Sequence, residues 1–178
     1  HPMILGIHGH GGNCSDFINR DMSSKLFNEG YGILSVSFRA MRRLHESIVS
    51  KELVKRGYHL MGIRLYETYI GWQILKNHPL VNPNKIGILA HSGGSVIANL
   101  FVRVFPKFRA LVYDYESNFQ RDWSNLCCES LPNLRPFRTN LQLASLCPIP
   151  AIKVDYGFRK DSNVVVKFFS EKLDGFGS

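Results

Sequence analysis

Five short apolar runs punctuate the chain, and longer stretches of helical periodicity separate them. MILGIHG (3–9), YGILSVSFR (31–39), KIGILAH (85–91), FRALVYDYES (108–117) and PAIKVDYG (150–157) are each bounded by turn residues. Near-continuous apolar strands of this kind predict a sheet covered on both faces, and the helical stretches between them predict parallel crossovers. The expected fold class is therefore α/β, a doubly wound, mostly parallel sheet with helices on both faces.

Among the intervening segments, Ser15 to Gly30 reads as one helix ending at a glycine, with Phe17, Leu26 and Phe27 apolar. Gly62 to Asn77 carries a broad apolar face of Ile63, Tyr66, Tyr69, Ile70 and Ile74. Ser95 to Phe105 places Val96, Ile97, Leu100, Phe101 and Val104 on one side, and Pro106 stops it. A last helix spans roughly Asn163 to Leu173, with Gly175 as its stop. Two stretches, Ala40 to Met61 and Ser117 to Cys147, lack regular periodicity. The second reads as an excursion over the sheet edge, where such folds build substrate pockets.

Length and composition bound the reading. A chain of 178 residues, 44% hydrophobic and 20% charged, suits a single domain (1–178) with a proper core. No apolar run approaches the roughly 18 residues that span a bilayer, and no signal-peptide pattern is present. The chain starts directly in a core strand, so it reads as a segment of a longer domain. The formal charge of +8 concentrates between Arg39 and Arg64. No nucleic-acid signature accompanies it, which favours a solvated basic face over an anion or assembly surface. Of four cysteines, Cys127 and Cys128 are adjacent and Cys14 and Cys147 isolated, so neither disulfides nor a zinc site is expected. Reduced thiols point to an intracellular setting, cytoplasmic, with mitochondrial as a weaker option on charge alone.

The chemistry concentrates at two turns. NKIGILAHSGGSVIANLF (84–101) runs from an apolar strand through Ala90-His91-Ser92-Gly93-Gly94 into a helix. A strand, a serine flanked by small residues two positions either side, and a helix together make a nucleophile elbow. Its serine oxygen stands exposed at the helix N-terminus, which favours developing negative charge. The competing reading is a plain glycine-rich connection. The second turn, GIHGHGGN (6–13), follows the first strand. Acyl transfer needs two backbone N–H groups on the oxyanion. Gly93 supplies one, and His10 or Gly11 the other. A phosphate loop fails on spacing, since neither Gly-x-x-x-x-Gly-Lys nor Gly-x-Gly-x-x-Gly occurs there.

Together, HGHGGN and ILKNHPLVNPNKIGILAHSGGS resemble the alpha/beta-hydrolase superfamily, in its dienelactone-hydrolase and acetyl-xylan-esterase-like branch. The resemblance spans roughly residues 3 to 117, with weaker support to 173. Asn84 stands where that branch usually has an acidic residue, and Ala90 where glycine is commoner. It implies a sheet lacking the superfamily's first strands and last strand, an ester-type substrate, no cofactor or metal, and a Ser-acid-His triad in chain order. By that resemblance the acid after PAIKVDYGFRKDSN is Asp161, with Asp155 and Glu116 still open and a helix cap the competing role for Asp161.

The triad histidine is missing from the place the resemblance gives it. All seven histidines (1, 8, 10, 45, 59, 78 and 91) lie at or before position 91. The leading expectation is a serine hydrolase cleaving a carboxylic ester or thioester, with a missing segment or protein partner supplying the last strand and the base. The alternative is a catalytically inactive hydrolase-fold subunit that acts as an assembly component through its basic face. A nucleotide binder using GIHGHGG is a third, weaker reading.

Overall fold

A computed structural model describes residues 1–115 and 146–175. Glu116, Cys127, Cys128 and most of the second irregular stretch lie outside the described residues. Among the described residues, five strands form one all-parallel sheet in the order β2-β1-β3-β4-β5. They are β1 (Met3–Ile7), β2 (Gly32–Val36), β3 (Ile86–Ala90), β4 (Ala110–Tyr113) and β5 (Ala151–Lys153). Each lies within one of the five apolar runs. The helices are α1 (Cys14–Ile18), α2 (Asp21–Asn28), α3 (Arg43–Lys55), α4 (Leu60–Asn77), α5 (Gly93–Val104) and α6 (Ser162–Phe169). A wider π-type turn over Ser170–Asp174 continues α6.

Strand alternation sorts the core into two layers. Leu5, Ile7, Ile86, Ile88, Ala90, Leu111 and Tyr113 face α4 and α5 on one side. Ile4, Leu89, Ala110 and Val112 face α1, α2 and α6 on the other, with Phe17, Leu26, Val165 and Phe169 packed on them. Both faces are therefore buried, as the continuous apolar runs require.

Three helical expectations change. The segment from Ser15 to Gly30 is two helices, not one, broken at Asn19 and Arg20. The Asn13 side chain accepts from Asp16 N, and Asp16 returns a bond to Asn13 N, each at 3.1 Å. This capping box starts α1 early and aims Phe17 at the sheet, while α2 turns again to bury Met22 and Leu26. The stretch from Ala40 to Met61 contains α3, invisible to hydrophobic periodicity because inward positions such as Glu46 and Ser50 are polar, while Ile48 is exposed. In α4 the buried stripe is Met61, Arg64, Thr68, Gly71, Trp72 and Leu75, whereas Tyr66, Ile70 and Ile74 are exposed. The stripe lies there because Gly71 lets the helix approach Val36 and Leu5.

The order β2-β1-β3 reverses direction between β1 and β3, and such a switch opens a crevice at the carboxyl ends of the strands. Ile7 pairs with Ala90 across it, so the loop after β1 and the turn after β3 emerge side by side.

Phe169 is fully buried over Gly87 of β3 and holds α6 to the sheet. Phe169→Ala is expected to lower stability by about 3–5 kcal/mol, read as a fall in the urea midpoint at unchanged slope.

Candidate active site

Ser92 sits between β3 and α5 with φ 52° and ψ −125°, a left-handed conformation that costs a non-glycine residue on the order of 1–3 kcal/mol. Two features hold it there. Gly94 presses so closely on β1 that a Cβ at that position would come within 2.5 Å of the Ile7 carbonyl oxygen and 2.6 Å of that of His8. Only glycine lets the elbow pack this deep. The buried carboxylate of Asp114, just past β4, supplies the second restraint. Its Oδ1 accepts from Ser92 N at 2.7 Å, and its Oδ2 from Gly157 N at 2.8 Å and from His91 Nδ1 at 2.5 Å. Ser95 Oγ accepts the Asp114 N–H at 3.3 Å. One side chain thus ties the elbow, the start of α5 and the loop after β5 together, and its charge is met by donors rather than by solvent.

His91 is locked by that bond and packs against the Tyr156 and Phe158 rings. It lines a cavity of about 890 Å³ bounded by Asp16, Arg20, Lys25, Tyr156 and Arg159. Ser92 is not in that lining; its side chain faces the glycine-rich loop instead. A Cβ on Gly9 would lie 2.5 Å from Ser92 Cβ and 3.1 Å from its Oγ.

The sequence-derived site residues fall as follows. Gly93 is the first residue of α5, where helix geometry leaves the N–H without an intrahelical acceptor. Gly11 N–H donates to Met41 O at 2.9 Å. The His10 imidazole lies directly on Gly93, with a Cβ there only 2.3 Å from ring atoms Nδ1 and Cε1. Asp161 and Asp155 bind each other's backbone: Asp155 N donates to Asp161 Oδ2 at 2.7 Å, and Asp161 N to Asp155 Oδ1 at 2.9 Å. Hydrogen bonds from the backbone of Lys160 first, and then of Asp161 and Arg159, hold the Asp155 carboxyl below its ordinary range. Asp161 stands at the N-terminus of α6 without a side-chain capping bond.

Sequence reasoning missed Asp114 and the partners of His10. Asp114 lies inside the fourth apolar run, directly after β4, and an acid at a strand's carboxyl end was a usable signal. Glu46 and Arg64 carried none. His10 Nε2 is 3.2 Å from Glu46 of α3, and Arg64 Nη1 of α4 donates to Glu46 Oε1 at 2.8 Å, contacts that join the loop after β1 to two later helices. Among the described residues no group of three His, Cys, Asp or Glu side chains is arranged to hold a metal, and no helix is long and apolar enough to cross a membrane.

A parallel sheet wound in this order, with a strained serine between its central strand and helix and a glycine-rich loop beside it, is the α/β-hydrolase fold. No family model matches the chain. Over 111 residues, 54% of this chain, it is 26% identical to YtaP of Bacillus subtilis (strain 168), named as a candidate hydrolase, and the match covers 37% of that protein. A candidate acetyl xylan esterase from Bacteroides fragilis NCTC 9343 superposes with a TM-score of 0.69 at 18% identity, over 93% of this chain and 56% of its own. A phospholipase/carboxylesterase from Dyadobacter fermentans DSM 18053 gives 0.61 at 12% identity, over 94% of this chain and 89% of its own. The chain thus spans little over half of the first of these structures. The neighbours with this fold include esterases and other hydrolases.

Asp114→Ala leaves the Ser92 and Gly157 N–H groups and His91 without their acceptor. It is expected to cost about 3 kcal/mol or more in chemical denaturation. His8 gives a pH signature. Burial, above all, lowers its pKa from the ordinary 6.5. The unfolded chain therefore binds the proton more readily, and stability falls as pH drops through 6.5 toward the folded value. The urea midpoint is expected to fall between pH 7.5 and 5.5, and to fall less in His8→Asn.

Proposed function

We propose that the chain is the core of a serine hydrolase that cleaves a carboxylic ester or thioester, with Ser92 as nucleophile. One observation carries this reading. Ser92 is kept at φ 52°, and the backbone strain is held by a buried carboxylate and a glycine packed on β1. A plain connection has no need of such a conformation, whereas a nucleophile must project from a turn too tight for ordinary φ and ψ.

The chemistry follows from the placement. A substrate carbonyl seated over the elbow is attacked by Ser92 Oγ as the hydroxyl proton passes to a histidine from another segment, which later returns it to the leaving group. The carbonyl π electrons move onto the oxygen. The Gly93 N–H at the start of α5 and the His10 N–H in the loop after β1 stabilise that oxyanion, aided by the positive end of the twelve-residue helix. Collapse expels the alcohol or thiol and leaves an acyl-serine, which water then hydrolyses. Asp161, in the loop after β5, is the acid implied by resemblance for a histidine from another segment. The likeness to a candidate acetyl xylan esterase and a carboxylesterase favours small acyl esters, acetyl esters of sugars included.

A fluorophosphonate probe is expected to label the chain at Ser92, detected by mass spectrometry of the modified peptide. Ser92→Ala is expected to abolish the adduct and to lower p-nitrophenyl acetate turnover by roughly 10³-fold or more. An unlabelled Ser92 in a folded chain would remove the enzymatic reading and leave the assembly role.

A further inference from the structure

We propose that the cavity between α2 and the loop after β5 binds a small phosphomonoester. This site does not include the Ser92 side chain, and it stands whether or not Ser92 is a nucleophile.

The cavity of about 890 Å³ lies within the roughly 300–1,000 Å³ of small-molecule sites. Three cations line it from its two walls. Arg20 and Lys25 come from the start and the body of α2, and Arg159 from the loop after β5. Arg20 and Lys25 are half-buried. Lys25 Nζ donates to Ser162 Oγ at 3.1 Å and to Asn163 Oδ1, both neutral, so the ammonium is held across the gap to α6. Among the described residues, none of the three cations lies within ion-pair distance of a carboxylate. The acids in the lining, Asp16 and Asp21, are exposed, and Asp16 is committed to capping α1. A half-buried cation without a carboxylate is costly, and a bound anion relieves that cost.

Uncharged groups in the same walls point to the same ligand. Neither Arg20 before α2 nor Asp161 before α6 caps its helix with a side-chain hydrogen bond. The first-turn N–H groups of both eight-residue helices therefore lack intrahelical acceptors, and both positive helix ends meet this cavity, at Asp21 and Ser162. His91 is an independent sign. It is 6% exposed, and its Nδ1 is turned to Asp114 at 2.5 Å. Since His91 lines the cavity, the opposite ring edge with Nε2 is the one it presents there. That nitrogen has no hydrogen-bond partner among the described residues.

The donor set selects the chemical class. Arginine forks match phosphate oxygens bidentately, and an ammonium serves as a point charge beside them. Three cations on two walls suit a tetrahedral group with three free oxygens better than a flat carboxylate with two. The volume leaves room for an organic part. The Tyr156 ring, 61% exposed and centred 5.0 Å from the His91 ring, offers that part a flat face.

The test titrates the full chain with glucose 6-phosphate, inorganic phosphate, acetate and glucose, by calorimetry and by the ring ¹⁵N shifts of His91. Glucose 6-phosphate is expected to bind one-to-one and to move the His91 Nε2 signal. Phosphate is expected to bind more weakly, acetate more weakly still, and glucose not at all. The Arg159 side chain is exposed and has no hydrogen-bond or ion-pair partner among the described residues, so Arg159→Ala is expected to fold normally. Arg159→Ala and Arg20→Ala are each expected to weaken glucose 6-phosphate binding about 10-fold or more. An unchanged urea midpoint separates this loss from a folding defect, and Arg159→Ala decides if Arg20→Ala does not fold. Unchanged affinity in Arg159→Ala, or binding that leaves the His91 signal in place, overturns the site. Glucose binding as tight as that of glucose 6-phosphate, or acetate binding as tight as that of phosphate, overturns the phosphate assignment. Phosphate binding as tight as that of glucose 6-phosphate overturns the part given to Tyr156. Absence of binding by both phosphate and glucose 6-phosphate overturns the whole proposal.

Discussion

The carboxyl end of the sheet is organised around one strained residue. Ser92 adopts a backbone conformation that an L-residue avoids, so the surroundings must over-determine it. Gly94 does so by contact, bringing the start of α5 against the Ile7 and His8 carbonyls. Asp114 does so by hydrogen bonding, since its carboxylate holds the Ser92 N–H directly. Both restraints come from strands that flank β3, so the elbow is only as rigid as the parallel pairing of β1, β3 and β4.

Two buried carboxylates then divide the work on opposite sides of the elbow. Asp114 is satisfied by backbone N–H groups and by His91, and it joins β3, β4 and the loop after β5. Glu46 is satisfied by Arg64 and His10, and it joins α3 and α4 to the loop after β1. A buried charge left without partners is costly enough to be excluded, so each carboxylate dictates where its donors stand. The glycine-rich loop is consequently placed by a charge cluster beneath it as much as by its own glycines.

The strands were legible because burial on both faces leaves an uninterrupted apolar run, and all five observed strands fall within the predicted ones. The tight turn between β3 and α5 was legible as well, since a strand, small residues and a helix follow one another in sequence. Helix α3 was not. Its inward residues Glu46 and Ser50 are polar, so the hydrophobic pattern carries no helical period there. The buried face of α4 was misread for a related reason. Its stripe is set by Gly71 and Arg64, a close approach and a charge pair, while apolar Ile70 and Ile74 stay exposed.

The sequence by itself determined the alternation of strand and helix, and with it the parallel sheet and the serine at the mouth of its central strand. These depend on neighbours in the chain, and hydrophobic burial and turn sterics act locally enough to be read in order. Only the tertiary structure decided which side chains meet that serine. Asp114 lies 22 residues away, and Glu46 reaches His10 across 36. Those partnerships form because strand order brings the ends of β1, β3 and β4 together, and because buried charges and N–H groups must find one another once water is excluded.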